Sequence, residues 1–285
     1  YTNGAFSYTA TDTGSGVSYL QYKKPGSSSW LSYTSGTTIA STATNGQYQF
    51  RAVDKAGNVS DTKTIYLDSA APTGTIKNSS GTAISGYTGG AFSYTATDTG
   101  SGVSYLQYKT PGSSSWTTYS SGTTISASAT NGLYQFRAVD NAGNTSAVSS
   151  IYLDTAIPTG KITDSNGTTV TTTTNKAFKY TASDGLSGIA YMQYKKPNST
   201  VWETYAAGTL IQTTDTNGIY RFRAFDNAGN ESETVMICLD TVKPTGTLYG
   251  GTSTVASGGK TNANYVKFVP SDSMSGIKGI NVQTP

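Results

Sequence analysis

Six aspartates recur at a fixed spacing and are the residues best suited to do chemistry. Asp68, Asp98 and Asp140 are followed 86 residues later by Asp154, Asp184 and Asp226. In a sandwich of strands, the loops after the second and sixth strands lie at one end, where the chain enters. Each set of three should therefore meet at a junction between repeats. Calcium takes about six to eight oxygen ligands, so these carboxylates are candidate calcium ligands.

A second hypothesis needs no ion. Asp98 opens the loop Asp98-Thr99-Gly100-Ser101-Gly102, and Asp140 opens Asp140-Asn141-Ala142-Gly143-Asn144. Aspartate before such residues commonly accepts hydrogen bonds from the N–H groups of its own loop. We favour this loop-capping role, and calcium stays as the alternative.

Catalysis is not expected. The chain contains no histidine, the usual general base and a common metal ligand. The recurring acids occur once per repeat, whereas a catalytic pair is more often unique. The single cysteine, Cys238, has no histidine or second cysteine as partner and is interpreted as a structural thiol. We predict no catalytic residues and no cofactor other than the calcium considered above.

The elements that position these aspartates are strands. One segment occurs three times, at residues 48–60, 134–146 and 220–232. In it Tyr, Phe and Ala alternate with polar or charged residues, the period-2 pattern of a half-buried strand. Each copy then ends in Asp-(Asn/Lys)-Ala-Gly-Asn, a cluster of turn residues.

The repeat defines the domain boundaries. Trp30, Trp116 and Trp202 are 86 residues apart, and residues 4–23 are identical to residues 90–109. Solenoid repeats are shorter, about 20–50 residues, so each unit has the size of a small domain. We predict complete domains at 70–155 and 156–241, a domain lacking its first strand at 1–69, and the N-terminal part of a further domain at 242–285.

The second domain predicts seven short strands. They are expected at 75–84, 91–97, 103–109, around Thr118, around Ile125, along the repeated segment, and at 149–153. Asn131-Gly132 is a strong hairpin signal. Strand parity places one set of side chains in a common core: Phe92, Tyr94, Tyr134, Phe136, Ile151 and Leu153. The fold class is therefore all-β, with tandem seven-stranded antiparallel sandwiches arranged as beads on a string.

The repeat resembles a known family. The block Tyr105-Leu106-Gln107-Tyr108-Lys109, followed by Pro111-Gly112, Trp116 and the segment 134–144, is similar to bacterial immunoglobulin-like and fibronectin type III-like tandem repeats of large extracellular surface proteins. The resemblance covers the whole chain. It implies the sandwich fold and an extracellular location, secreted or attached to the cell wall or cell surface. It does not imply a ligand, since such modules serve many roles.

Composition narrows the function further. The net charge of +3 comes without a run of basic residues, so no nucleic-acid partner is expected. No apolar run is long enough to span a bilayer. We predict a non-catalytic structural or adhesive segment, that is, a stalk, fibre or shaft of a large bacterial protein. The alternative is a set of accessory, carbohydrate-binding modules of a secreted enzyme that acts on polysaccharides.

The partners considered are a glycan, a host or cell-surface protein, or further copies assembling into a fibre. Three tyrosines occupy strand positions whose side chains should point away from the core: Tyr19, Tyr105 and Tyr191. Exposed rings can stack on sugars, although aromatic pairs across strands also stabilise sheets. The tryptophans follow a turn and are expected to cover a sheet edge or the rim of the core.

Overall fold

The structure is a computed structural model that describes residues 1–282. Within that range the chain is all strand and turn, with no helix. It divides into two compact units, Tyr1–Thr155 and Ala156–Pro285. The first unit holds β1 (Val17–Lys23), β2 (Leu31–Tyr33), β3 (Gly46–Asp54), β4 (Lys63–Leu67), β5 (Thr73–Asn78), β6 (Gly86–Thr88), β7 (Phe92–Thr97), β8 (Val103–Lys109), β9 (Thr117–Tyr119), β10 (Gly132–Asp140) and β11 (Ser149–Leu153).

The second unit repeats the pattern. It holds β12 (Thr159–Asp164), β13 (Thr173–Thr174), β14 (Phe178–Ser183), β15 (Ile189–Lys195), β16 (Glu203–Tyr205), β17 (Gly218–Asp226), β18 (Val235–Leu239), β19 (Thr245–Gly250), β20 (Ser253–Val255) and β21 (Val266–Ser271). We call β1–β4, β5–β11 and β12–β18 the first, second and third sandwiches.

Each complete sandwich has a large and a small sheet. In the second, the large sheet has the order β6-β11-β10-β8-β9, and the small sheet pairs β5 with β7. The third sandwich has the same arrangement, with β13-β18-β17-β15-β16 and β12-β14. The chain is therefore an all-β protein of tandem β-sandwiches, as the repeat predicts.

The predicted first strand at 75–84 was wrong in its extent. The structure ends β5 at Asn78, whose Oδ1 accepts the N–H groups of Ser80 and Thr82. The chain then turns through Gly81 and Gly86, which have φ of 82° and 77°, where glycine is favoured. Strand β6 follows in the other sheet, parallel to β11. The sandwich is thus antiparallel except for this one pairing.

The hairpin predicted at Asn131-Gly132 was also wrong. The residue expected in the preceding strand, Ile125, forms only an isolated bridge to Phe92 in the small sheet. The segment before Asn131 therefore does not pair with β10. Instead, Asn131 Oδ1 accepts hydrogen bonds from the N–H and Oγ1 of Thr155 at 3.2 and 3.1 Å. The Asn131 side chain thus holds Thr155 at the end of the sandwich, and Asn131-Gly132 is not the turn of a hairpin.

Three separate cores fill the sandwiches. The six residues predicted for the second sandwich are all buried in one cluster, which confirms the strand parity. Phe92 and Phe136 meet edge to face with centroids 6.2 Å apart, and Tyr94 stacks on Phe136 at 5.0 Å. Such aromatic pairs add to the stabilisation from burial alone. The first and third sandwiches have equivalent clusters of their own.

Candidate functional site

Asp68, Asp98 and Asp140 meet at one end of the second sandwich. Asp68 follows β4, Asp98 follows β7, and Asp140 is the last residue of β10. Each offers a carboxylate oxygen, and these three oxygens lie within 4.8 Å of one another. Asp68 and Asp140 are buried, whereas Asp98 is half-buried. The loops thus bring together the three residues that the spacing placed at a junction.

Asp98 and Asp140 each cap their own loop. Asp98 Oδ2 accepts the N–H groups of Gly100 and Gly102 at 3.0 and 2.7 Å. Asp140 Oδ1 accepts those of Ala142 and Asn144 at 2.9 and 2.8 Å. The Asn144 side-chain amide adds a bond of 2.7 Å to Asp140 Oδ2. These are the bonds that the loop-capping hypothesis requires.

Asp68 behaves differently, because it joins two sandwiches within the first unit. Its Oδ2 accepts the N–H of Ser101 at 2.6 Å, and its Oδ1 accepts that of Ala70 at 3.1 Å. The Asn144 side chain donates to the backbone carbonyl of Asp68 at 2.8 Å. A Cβ on Gly100 would overlap the Asp68 carboxylate, so a glycine is needed for this close approach.

The electrostatic state of Asp68 follows from these contacts. Burial acts to raise its pKa, while hydrogen bonds from the Ser101 hydroxyl and N–H and from the Ala70 N–H act to lower it. The net effect is a pKa below the ordinary value. The carboxylate is therefore held ionised by protein donors, since hydrogen bonds to the charged form favour that form.

The other three candidates are divided between the two units. Asp154 follows β11 in the first unit; it is fully buried, and its N–H donates to the Thr88 carbonyl at 2.9 Å. In the second unit, Asp184 accepts three N–H groups of its own loop through Oδ1. Asp226 accepts the N–H groups of Ala228 and Asn230. Asp184 and Asp226 thus cap their loops as Asp98 and Asp140 do.

One further junction contact was missed from the sequence. Asp240 Oδ2 accepts the N–H of Ser275 at 3.1 Å, and Asp272 caps the same loop. Asp240 lies 86 residues after Asp154, and Ser275 is the counterpart of Ser101 in the extended repeat. The periodicity that identified Asp68 and Asp154 was sufficient to identify Asp240 as well.

The arrangement limits what the Asp68–Asp98–Asp140 cluster can bind. Five of its six carboxylate oxygens accept N–H groups. The one oxygen from each carboxylate that faces the others gives three ligands, fewer than the roughly six to eight that calcium takes. An ion would have to draw oxygens away from existing donors or recruit carbonyl groups and water. Calcium binding by the six aspartates stays the untested alternative to loop capping.

A second cluster lies on the outer face of each large sheet. In the second sandwich Lys109 Nζ and Arg137 Cζ are 4.8 and 4.3 Å from the centroid of the Trp116 ring. The first and third sandwiches have the same arrangement at the same repeat positions, with Lys23, Trp30 and Arg51, and with Lys195, Trp202 and Arg223. We call these the Lys–Trp–Arg clusters. The tryptophans thus lie on the outer face of the sheet, each directly before an edge strand, β2, β9 or β16; this agrees with the expected sheet edge and not with the rim of the core.

The pairing register of β8 and β10 explains why the Lys–Trp–Arg cluster forms. Arg137 pairs with Gln107 and Gln135 with Lys109, which puts Lys109 and Arg137 diagonally on one face of β8 and β10. Gln107 Oε1 accepts the Arg137 Nε–H at 2.9 Å and orients the guanidinium. The recurrence of Lys, Trp and Arg at one phase was visible in the sequence, but their proximity depends on strand pairing.

The exposed tyrosines lie where parity predicts. Tyr19, Tyr105 and Tyr191 are 52%, 46% and 48% exposed. Tyr191 stacks on Phe225 with centroids 4.7 Å apart, a contact that the corresponding valines of the other two sandwiches do not offer.

Comparisons with known proteins bear on the fold alone. No family model matches the chain, and no curated protein matches it. Among solved structures, it is similar to fibronectin(III)-like modules of CbhA from Clostridium thermocellum, with 18% identity, a TM-score of 0.30, and coverage of 57% of this chain and 92% of that one. It is also similar to the FN1–FN3 domains of chicken CNTN1, with 15% identity, a TM-score of 0.27, and coverage of 82% and 93%.

A third similar structure is SGBP-B of a Bacteroides ovatus mixed-linkage glucan utilisation locus, in complex with a heptasaccharide. The identity is 13%, the TM-score 0.18, and the coverage 86% of this chain and 65% of that one. At these scores the assignment of the fold depends on the sheet topology described above. In residues 1–282 there is no helix long and apolar enough to cross a membrane.

Proposed function

We propose that this chain is a non-catalytic structural segment, a stalk, fibre or shaft, of a large secreted or cell-surface bacterial protein. Its domains are those expected from the repeat, at 1–69, 70–155, 156–241 and 242–285. The observation that carries the proposal is the junction at Asp68, whose carboxylate and carbonyl both bond to loops of the following sandwich. A spacer needs such fixed junctions, because free hinges would shorten its reach.

The absence of histidine and the repetition of each acidic residue support a role without catalysis. Separate cores suit a spacer, because each sandwich has its own hydrophobic packing and repeats can be added in series. One cysteine leaves stability to packing alone. That arrangement suits a bacterial surface protein and needs no disulfides.

The proposal is tested by the distance between the first and second sandwiches. Spin labels are placed through Thr64→Cys and Ser150→Cys, both exposed and equivalent in the repeat, in a Cys238→Ser chain. We expect a narrow distance distribution, broadened by Asp68→Ala. The control is Asp12→Ala, which removes an exposed loop cap of the first sandwich and should change nothing. A broad distribution in the parent chain would refute a rigid spacer.

A second candidate function is carbohydrate binding by accessory modules of an enzyme that acts on polysaccharides. It is favoured by the exposed tyrosines Tyr19, Tyr105 and Tyr191, one on each large sheet. A glycan array probed with the full chain tests it. Binding that is reduced by Tyr105→Ala without loss of thermal stability is the expected result. No binding to any glycan would refute it.

A further inference from the structure

The three Lys–Trp–Arg clusters are alike in geometry but differ in charge. In the third sandwich Arg223 Nη1 forms an ion pair with Glu231 at 2.7 Å. The corresponding residues in the first and second sandwiches are Val59 and Thr145, which have no carboxylate. Arg51 and Arg137 have no ion pair within the described residues 1–282. Arg223 is therefore paired with an acid, whereas Arg51 and Arg137 are not, although the third face also has Arg221 where the other sandwiches have Gln49 and Gln135.

The surroundings of the second cluster strengthen this difference. Residues 70–155 contain only three acids, Asp98, Asp140 and Asp154. All three lie at strand ends or in loops, away from the outer face of β8 and β10; Asp98 and Asp140 accept hydrogen bonds there, and the Asp154 N–H donates one. The outer face of the large sheet thus has two positive charges beside an aromatic ring and no acid to balance them.

We infer that the outer faces of the first and second sandwiches bind an anionic polysaccharide, through carboxylate or sulfate groups beside Trp30 and Trp116. The inference rests on the second candidate function and names its substrate class. Lys109 and Arg137, both placed over the Trp116 ring, supply the charge for an acidic group, while the exposed Tyr105 on the same face of β8 offers an aromatic surface to a sugar. Arg137 is held by Gln107, so its remaining N–H groups are oriented before binding.

Charge density distinguishes this partner from a nucleic acid. A protein that binds a phosphate backbone presents a basic stripe along its surface. Here the outer face of the large sheet in the first and second sandwiches has one lysine and one arginine in its cluster, and the whole chain has a net charge of only +3. A polysaccharide with isolated acidic groups matches that sparse pattern, and two open clusters on one chain add avidity.

The test uses the full chain and a matched pair of polymers, polygalacturonate and its methyl-esterified form, which has the same sugar backbone without the charge. We expect affinity for the acidic form to be about tenfold higher and to fall as salt rises. Equal affinity for both polymers would overturn the inference while leaving carbohydrate binding intact. No binding to either polymer would also overturn it.

The ion pair of the third sandwich suggests which variants to make in the first and second. Val59→Glu with Thr145→Glu installs the residue that neutralises Arg223, at exposed positions that the fold tolerates. We expect about a tenfold loss of affinity for polygalacturonate, as expected for charge–charge contacts. The matched control, Val59→Gln with Thr145→Gln, adds the same bulk without charge and should retain binding. An equal loss in the control would show that shape rather than charge matters, which would overturn the inference.

The reverse change opens the third cluster. Glu231→Thr frees Arg223, and a third site on the chain should raise affinity about twofold to threefold through avidity. Tyr19→Ala with Tyr105→Ala keeps the cations and should still weaken binding, because the sugar loses its aromatic contact. Single-stranded polythymidylate is the competing partner. If it binds as tightly as polygalacturonate and loses affinity in the Val59→Glu, Thr145→Glu chain, a nucleic acid is the partner and the inference fails.

Discussion

The second and third sandwiches show which parts of a duplicated domain are fixed and which vary. Their cores match residue for residue at the aromatic positions, with Phe92, Tyr94 and Phe136 in one and Phe178, Tyr180 and Phe222 in the other. Their surfaces have diverged, since Glu231 replaces the exposed Thr145. Packing restricts buried side chains to one shape, while an exposed residue is free to change the charge of a face.

The largest expected effect tests whether the cores are equivalent. Phe136→Ala and Phe222→Ala each remove a fully buried ring and should each cost about 3–5 kcal/mol in the free energy of unfolding. Calorimetry should show only the transition of the altered sandwich moving to lower temperature. If the whole chain melted in one shifted transition, the sandwiches would be coupled rather than independent.

A smaller effect concerns the glycines above the core. A Cβ on Gly74 or Gly160 would overlap the hydroxyl of Tyr94 or Tyr180. Gly74→Ala and Gly160→Ala should each cost about 1–3 kcal/mol, the usual penalty for overpacking. Chemical denaturation measures this cost. Gly90→Ala and Gly185→Ala are the controls, because no atom lies closer than 3.9 Å to a Cβ there. Equal costs at all four glycines would contradict the packing argument.

Acid should weaken both the junction at Asp68 and the loop of the third sandwich. The pKa of Asp68 and that of Asp184 are lowered below 3.8 in the folded chain. Their stabilisation is therefore fully present well above that value and is lost as the pH falls through it toward the lower folded pKa. Thermal melting should show the loss between about pH 5 and pH 2. Asp68→Asn should flatten the acid dependence of the first unit and leave that of the third sandwich unchanged.

Calcium should have the smallest effect of all. If the aspartates only cap loops, melting scans with calcium and with EGTA will coincide for both sandwiches. If they chelate, calcium at a hundredfold over its dissociation constant would add about 2.7 kcal/mol by mass action. A rise of several degrees that Asp140→Asn abolishes would contradict our expectation.

Sequence patterns predicted the features that depend only on the alternation of inward and outward side chains along one strand. The burial of Phe92, Tyr134 and Ile151 follows from alternation alone, and the structure confirms it. The sequence did not predict that the expected first strand is divided into β5 and β6. This division depends on hydrogen bonds to the Asn78 side chain and on two glycines with positive φ. Turn residues signal a change of direction but not which sheet the next strand joins.

The candidate sites show the same limit. The phase of the aspartates predicted that Asp68, Asp98 and Asp140 would lie at one end, and the oxygens of all three are close together. The Lys–Trp–Arg clusters require the register of β8 against β10, which no local pattern of Lys109 or Arg137 specifies. Contacts between residues distant in sequence became visible only with the strand pairing.

The parallel pairing of β6 with β11 has a mechanical consequence. The chain enters the sandwich through β5, which pairs with β7, continues into β6 and leaves after β11; Gly86, Tyr87 and Thr88 lie beside Ile151, Tyr152 and Leu153. Once β5 has separated from β7, tension applied to the two ends pulls the parallel strands β6 and β11 in opposite directions along their length. Their hydrogen bonds are then loaded in shear and must break together, whereas an antiparallel pair pulled from its open end separates one bond at a time. The short strand that sequence reasoning missed is thus the part that bears load when the chain is stretched.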